Sequence, residues 1–361
     1  MKKILAYTCV VSALLSSCGS GEKSSEQIDT LSLNSKVIIN DDALRKPISM
    51  AVGDDKLYVL NWSGAVDTLI DEFTLDGKFV RSFLTKGQGP GELVSVEKIF
   101  YNSVNNSLVV NDYMIRGKLV EIKQLSSEKP MAETVIELQK EDNDSVSPTD
   151  FIAPLSNKMY VAGNRPLEGM LAIYDAEGKF VRLDQPYPDK SVVGSELPDW
   201  CMSTFFKMWG NCSPDGKHFV AYSNANILVI GDAEKQSVKT ASIVGDFVNG
   251  IVAENYGNNV AFTHSDRYHI YFPMGITTSN THFYAQCSGL DTELNRQWQK
   301  MLEGEIEPEC YVRVYDFDGN IVKILKLNVG KCSLAVSPDD SALYAFTETD
   351  EGYTIHKFSL K

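Results

Sequence analysis

One pattern recurs six times along this chain: a short turn cluster followed by a β-rich run. In the first half it reads Asp54-Asp55-Lys56-Leu57-Tyr58-Val59, Asn105-Asn106-Ser107-Leu108-Val109-Val110 and Ser156-Asn157-Lys158-Met159-Tyr160-Val161. It returns as Pro214-Asp215-Gly216-Lys217-His218-Phe219-Val220, Thr278-Ser279-Asn280-Thr281-His282-Phe283-Tyr284 and Pro338-Asp339-Asp340-Ser341-Ala342-Leu343-Tyr344. Aligned on Tyr58, Val109, Tyr160, Phe219, Phe283 and Leu343, the copies lie 51, 51, 59, 64 and 60 residues apart. A second pattern follows downstream in several copies, as in Phe73-Thr74-Leu75-Asp76-Gly77-Lys78-Phe79-Val80, Tyr174-Asp175-Ala176-Glu177-Gly178-Lys179-Phe180-Val181 and Tyr315-Asp316-Phe317-Asp318-Gly319-Asn320-Ile321-Val322. Asp-Gly and Glu-Gly supply the positive φ that tight hairpins need. Each unit therefore carries two hairpins, or four strands. Six such units predict an all-β chain folded as a six-bladed β-propeller with four-stranded blades.

No linker composition interrupts residues 47–361, so residues 29–361 are expected to form a single propeller domain. The last unit stops after a third strand, Tyr353-Thr354-Ile355-His356-Lys357-Phe358-Ser359-Leu360. Its missing strand is expected from the N-terminus, from Asp29–Asn34 or from Ser35–Ile39. Such a strand would close the ring and remove exposed sheet edges.

The N-terminus reads as an export signal. Lys2 and Lys3 precede a mostly apolar run from Ile4 to Leu15, which is too short to span a bilayer. The run ends in Leu15-Ser16-Ser17-Cys18, small residues before a cysteine that resemble the lipobox of bacterial lipoproteins. That resemblance implies a signal peptide over 1–17, a lipid on Cys18 and a polar tether over 18–28. The protein is then exported and lipid-anchored to the cell envelope, with the outer membrane as the expected site. It would touch the membrane through its anchor only. No stretch of 18 apolar residues exists to cross it.

At Lys86-Gly87-Gln88-Gly89-Pro90-Gly91-Glu92-Leu93 the chain resembles NHL-type and TolB-like six-bladed propellers, including a lipoprotein branch common in Bacteroidetes. In that family a glycine turn links one blade to the next, and Gly77 to Asp112 follows the pattern. The motif occurs once, and blades three to six depart from the fuller NHL pattern. The resemblance implies a scaffold that mostly binds partners or ligands. Some relatives are lyases or lactonases with a metal in the central channel. Fold alone does not decide between these roles.

The net charge of −14 and pI of about 4.9 set the chain against nucleic acid, whose phosphates repel it. Gly87, Gly89 and Gly91 superficially match a dinucleotide loop, but Pro90 and a following β-rich stretch make them a blade-connecting turn. Asp316-Phe317-Asp318-Gly319 lacks the sixth-position Gly and terminal Glu of a calcium loop and reads as a hairpin. His264, Asp266 and His269 are the densest metal-capable set, placed where the inner strand of blade five could begin. Odd spacing sends the two imidazoles to opposite faces of a strand, so they read as surface or core histidines, not as a metal cage.

The ends of the second strands carry Asn61-Trp62, Asn111-Asp112-Tyr113, Asn164-Arg165 and Ser223-Asn224. In a propeller these ends open onto one face, where they form a candidate binding surface. The alternative is turn chemistry, with Asn and Asp satisfying nearby backbone. Two insertions stand out. Pro186 to Cys201 reads as an ordered loop. Within Cys287 to Cys310, Leu290, Leu294, Trp298 and Met301 or Leu302 form a helical stripe, predicting one short helical insertion in blade five.

Cys287 ends one strand and Cys310 precedes the next, so these neighbouring ends are a candidate disulfide, preferred over Cys201–Cys212. No Gly-x-Ser-x-Gly elbow, His-Glu-x-x-His or Cys-x-x-Cys occurs. The expected function is a non-enzymatic binding module for a protein or glycan partner in the cell envelope, monomeric and without a cofactor. The alternative is an envelope hydrolase or lyase using acidic residues, with Ca²⁺ in the central channel.

Overall fold

A computed structural model describes residues 28–40, 43–112, 117–139, 146, 148–156, 159–164, 168–186, 208–223, 227–243, 251–256, 259–264, 271–287, 309–349 and 352–361. Two N-terminal strands come first, β1 (Thr30–Leu33) and β2 (Lys36–Ile39). Blade one is β3 (Pro47–Val52), β4 (Lys56–Asn61), β5 (Thr68–Thr74) and β6 (Phe79–Thr85). Blade two is β7 (Val96–Asn102), β8 (Ser107–Asp112), β9 (Lys118–Lys123) and β10 (Met131–Glu137). Blade three is β11 (Pro148–Ser156), β12 (Met159–Asn164), β13 (Leu171–Asp175) and β14 (Phe180–Asp184). Blade four is β15 (Met208–Cys212), β16 (His218–Ser223), β17 (Ile227–Asp232) and β18 (Ser237–Ile243).

A separate hairpin follows, β19 (Ile251–Tyr256) and β20 (Asn259–His264). Blade five is β21 (Tyr271–Thr278), β22 (His282–Cys287), β23 (Cys310–Asp316) and β24 (Ile321–Leu327), with β1 added parallel to β24. Blade six is β25 (Ser333–Val336), β26 (Ala342–Thr349) and β27 (Gly352–Ser359), and β2 pairs antiparallel with β27 as its fourth strand. Of the two N-terminal segments weighed above, Ser35–Ile39 thus holds the outer position in blade six, while residues 30–33 extend blade five. The inner strand of blade six packs against that of blade one.

The core is divided into six apolar layers, one between each pair of neighbouring blades. This explains why the second strands read as unbroken apolar runs. In β4, Leu57 and Val59 face the layer shared with blade six, while Tyr58 and Leu60 face the layer shared with blade two. Period-two alternation is present, but both faces are buried. Outer strands such as β6 and β10 are mostly exposed.

The turn glycines do two jobs at once. Gly77 and Gly178 adopt φ of 88° and 77°. A Cβ at Gly77 would fall 2.1 Å from the carbonyl oxygen of Ile38, and one at Gly178 would fall 2.3 Å from that of Glu137. Ile38 lies in β2 and Glu137 in β10. The N-terminal strand therefore meets blade one as a regular outer strand meets the next blade.

His264 ends β20, opposite Ile251, and the inner strand of blade five begins only at Tyr271. The intervening hairpin belongs to no blade. The side chain of His264, together with Asp266 and His269, lies outside the described residues, as does the expected helix within 288–308.

Candidate functional site

Strand direction alternates within each blade, so the two faces of the disc receive different connections. One face receives the turns between first and second strands, only two to five residues each. These turns hydrogen-bond to one another around the axis. The Ser103 N–H donates to the Pro214 carbonyl at 2.8 Å, the Asp215 N–H to Asn280 Oδ1 at 3.0 Å, and the Asn280 N–H to the Pro338 carbonyl at 3.1 Å. Asp340 adds an acidic clasp there. It accepts from the Tyr284 hydroxyl at 2.6 Å and from Thr281, and lies 3.1 Å from His282 Nδ1. Burial alone would push its carboxyl up, but hydrogen bonds from Thr281, Tyr284, Ser279 and His282 outweigh that and hold it below the usual value. This is the closed face.

The opposite, open face is where the long connections begin and end. They run from Asp184 to Met208, from Ile243 to Tyr271 and from Cys287 to Cys310. A cavity of about 30 Å³, room for a water or two, lies on the axis between the inner strands. Inner strands line the cavity, and Lys98 is the only charged residue among its lining. Lys98 sits two residues into β7, near the open face. Its Nζ lies 3.3 Å from the Tyr222 hydroxyl and 5.5 and 5.9 Å from the Tyr222 and Phe100 ring centroids. Trp209 stacks on Tyr222 at 6.2 Å and 26°. Burial lowers the Lys98 amine to about 7, with Cys212 opposing the shift weakly. Burial also raises Cys212 to about 12 and holds Tyr222 well above the usual phenol value.

The asparagines at the second-strand ends point inward. Asn61 is fully buried. Its Nδ2 donates to Asp71 Oδ2 at 2.7 Å and to the Leu69 carbonyl, and its Oδ1 accepts from Lys46 N at 3.0 Å. Asp71 also receives Arg45 at 2.6 Å and Ser82 at 2.5 Å, completing a buried polar knot. Asn164, also buried, donates to the Gly169 carbonyl at 3.0 Å. Asn111 is buried at the matching place in blade two. Trp62 differs: it is 52% exposed, on a turn whose Gly64 leaves room beneath the indole. The side chain of Asp112, and all of Tyr113, Arg165 and Asn224, lie outside the described residues.

The glycine turn joins blade one to blade two. Glu92 Oε2 accepts from the Gly89 N–H at 2.9 Å, and a Cβ at Gly87 would strike that carboxylate. The turn is filled by its own side chain and cradles no phosphate.

A model of TolB-like six-blade propellers matches residues 24–339. The chain belongs to the TolB-like six-bladed propeller family. A crystal structure of a Bacteroides fragilis protein described as exported superposes with a TM-score of 0.52 at 12% identity, covering 92% of this chain and 99% of that one. No curated protein matches this chain. Within the TolB-like frame, the two faces are the natural units of comparison. The feature that sequence reasoning missed is Lys98, which in Val96-Glu97-Lys98-Ile99 looks like an ordinary surface lysine.

The expected disulfide pair is not brought together. Cys287 pairs in register with Tyr311, so the neighbouring Cys310 projects from the other face of the sheet. Cys287 joins the layer between blades four and five, and Cys310 the layer between five and six.

Proposed function

We propose that the protein is an exported, lipid-anchored binding module whose open face engages a protein or glycan in the cell envelope. The observation that carries this reading is the asymmetry of the channel. One end is laced by turn-to-turn hydrogen bonds; the other ends in Lys98 among Phe100, Tyr222 and Trp209. On the open face Trp62 offers an exposed ring, the kind of surface that suits sugar rings and apolar side chains. An amine poised near neutrality gains its proton when an anionic group approaches, which favours acidic partners at the mouth. Cys18 and the 18–28 tether would hold the propeller at the membrane surface.

The channel-enzyme alternative calls for converging carboxylates. Among the described residues no group of three His, Cys, Asp or Glu is placed to hold a metal, and the cavity lining carries no carboxylate.

The test is binding of the full-length lipoprotein to arrays of envelope polysaccharide fragments and purified outer-membrane proteins. Trp62→Ala and Lys98→Met should each weaken the recovered interaction at least about tenfold, while Val104→Ala on the closed face leaves it unchanged. Equal retention by all variants, or turnover of a bound glycan, contradicts the reading.

A further inference from the structure

Two of the described thiols meet across the layer between blades five and six. Cys310 opens β23, and Cys332 lies immediately before β25. Their Sγ atoms are 4.0 Å apart. Both are buried, 0% and 5% exposed, among Val312, Val329 and Leu334. Neighbouring groups hold the pair in place. Gln286, fully buried in β22, brackets the Cys332 main chain; with its amide oriented to satisfy both groups, its nitrogen donates to the Cys332 carbonyl at 2.9 Å and its oxygen accepts from the Cys332 N–H at 3.3 Å. Cys310 is fixed by its register opposite Leu327. The other two described thiols are turned elsewhere: Cys287 contacts the Tyr311 carbonyl at 3.8 Å, and Cys212 lines the axial cavity.

We propose that Cys310 and Cys332 form an inter-blade disulfide when the chain folds in an oxidising compartment. The proposal rests on the export reading only for its oxidant. A disulfide bond is about 2 Å long, so each side chain must swing toward the other from the reduced 4.0 Å separation. The oxidant is a small or protein disulfide. One cysteine thiolate attacks it, forming a mixed disulfide and releasing one donor thiol. The second cysteine attacks that mixed disulfide, closing the Cys310–Cys332 bond and releasing the second donor thiol. Two cysteine thiols are oxidised and one donor disulfide is reduced to two thiols. Both groups are buried in the folded chain, so exchange precedes the packing of blade six on blade five.

The bond ties the returning end of the 288–308 connection to the start of the inner strand of blade six. Blade six is also the blade whose outer strand, β2, comes from the other end of the chain. A covalent clasp at its inner edge would keep the blade in place while that outer strand exchanges.

The test is to refold the full-length chain from urea in oxidised glutathione, trap free thiols and map peptides without reduction. A Cys310–Cys332 crosslinked peptide is expected, with Cys287 free. Reduction should lower the melting temperature of the wild-type chain by about 4 °C and leave Cys332→Ala unshifted. Free thiols at both positions after refolding, or a dominant Cys287–Cys310 crosslink, overturns the proposal. Mapping the protein recovered from the envelope separates the two readings. A pair that links in glutathione but is reduced in the cell supports the geometry and counts against export.

Discussion

The two faces of this disc are built from the same strands and differ in almost everything else. On the closed face, short turns carry positive-φ glycines, Asx-type side-chain hydrogen bonds and contacts from one blade's turn to another's. On the open face the long connections begin and end, and the Lys98 amine lies among aromatic rings toward that side. The closed face is constrained residue by residue, so substitutions there should cost stability. At exposed Trp62 and at the desolvated Lys98 amine, substitutions on the open-face side should cost binding and spare or even improve stability. With the proposed binding role, stability and function would fall on opposite sides of one scaffold.

The strongest way to break this comparison is to open the ring. Deleting residues 19–28 should leave the melting temperature within about 1 °C, because the expected tether precedes the first strand, β1. Extending the deletion to residue 40 removes β1 and β2, exposes β27 as an edge and strips Ile39 from its buried site. Thermal unfolding should then fall by more than about 10 °C or lose cooperativity. Equal melting temperatures for the two truncations would show that β2 does not close the ring.

Next in size is the glycine contrast within the closed face. Gly77→Ala meets both a φ of 88° and the Ile38 carbonyl, and should cost about 3 kcal/mol in urea unfolding. Gly216→Ala has a φ of 70° but nothing within 4 Å of the added Cβ, and should cost only about 1 kcal/mol. Equal losses would mean that backbone conformation, and not blade-to-blade contact, sets the cost.

On the open face the sign should reverse. The Lys98 amine titrates at about 7 in the folded chain, below its unfolded value of about 10.4. Between those values the unfolded chain binds more protons, so this group makes stability rise with pH from about 7 toward 10. Above about 10 the buried tyrosines 58, 101, 222, 284 and 344, held above their usual value by burial, reverse the trend. Lys98→Met should gain on the order of 2 kcal/mol at pH 7 and flatten the rise, as read from urea midpoints at pH 7, 8.5 and 9.5. A wild-type chain already flat over that interval would place the amine in water. The smallest effect belongs to Trp62→Ala, which should change stability by less than about 0.5 kcal/mol.

What the sequence made legible follows the same division. Turn clusters and unbroken apolar runs are local signals, so Leu57-Tyr58-Val59-Leu60 and Asp76-Gly77 announced strands and hairpins directly. The asparagines were harder. Asn61 and Asn164 end their strands as expected, but a sequence cannot say whether an amide faces solvent or bonds the loop beside it. Lys98 became a channel residue only when six blades closed around an axis. The β19–β20 hairpin was overlooked because Tyr256-Gly257-Asn258-Asn259, a good turn, breaks the blade period. The cysteine pairing turned on register: Cys310 sits one residue away from the partner opposite Cys287, and one residue in a strand is the difference between two faces.

The central claim is that binding belongs to the open face alone, and in-cell photocrosslinking tests it most directly. A photoreactive phenylalanine analogue is placed at position 62 on the open face, or at position 104 on the closed face, where Val104 is 70% exposed and tolerant of replacement. Both variants keep Cys18 and the full chain, so the proposed anchor and the fold are shared. The expected result is a discrete crosslinked species from position 62, lost when Lys98→Met is added, and none from position 104. Crosslinks from position 104 with none from position 62 would contradict the account.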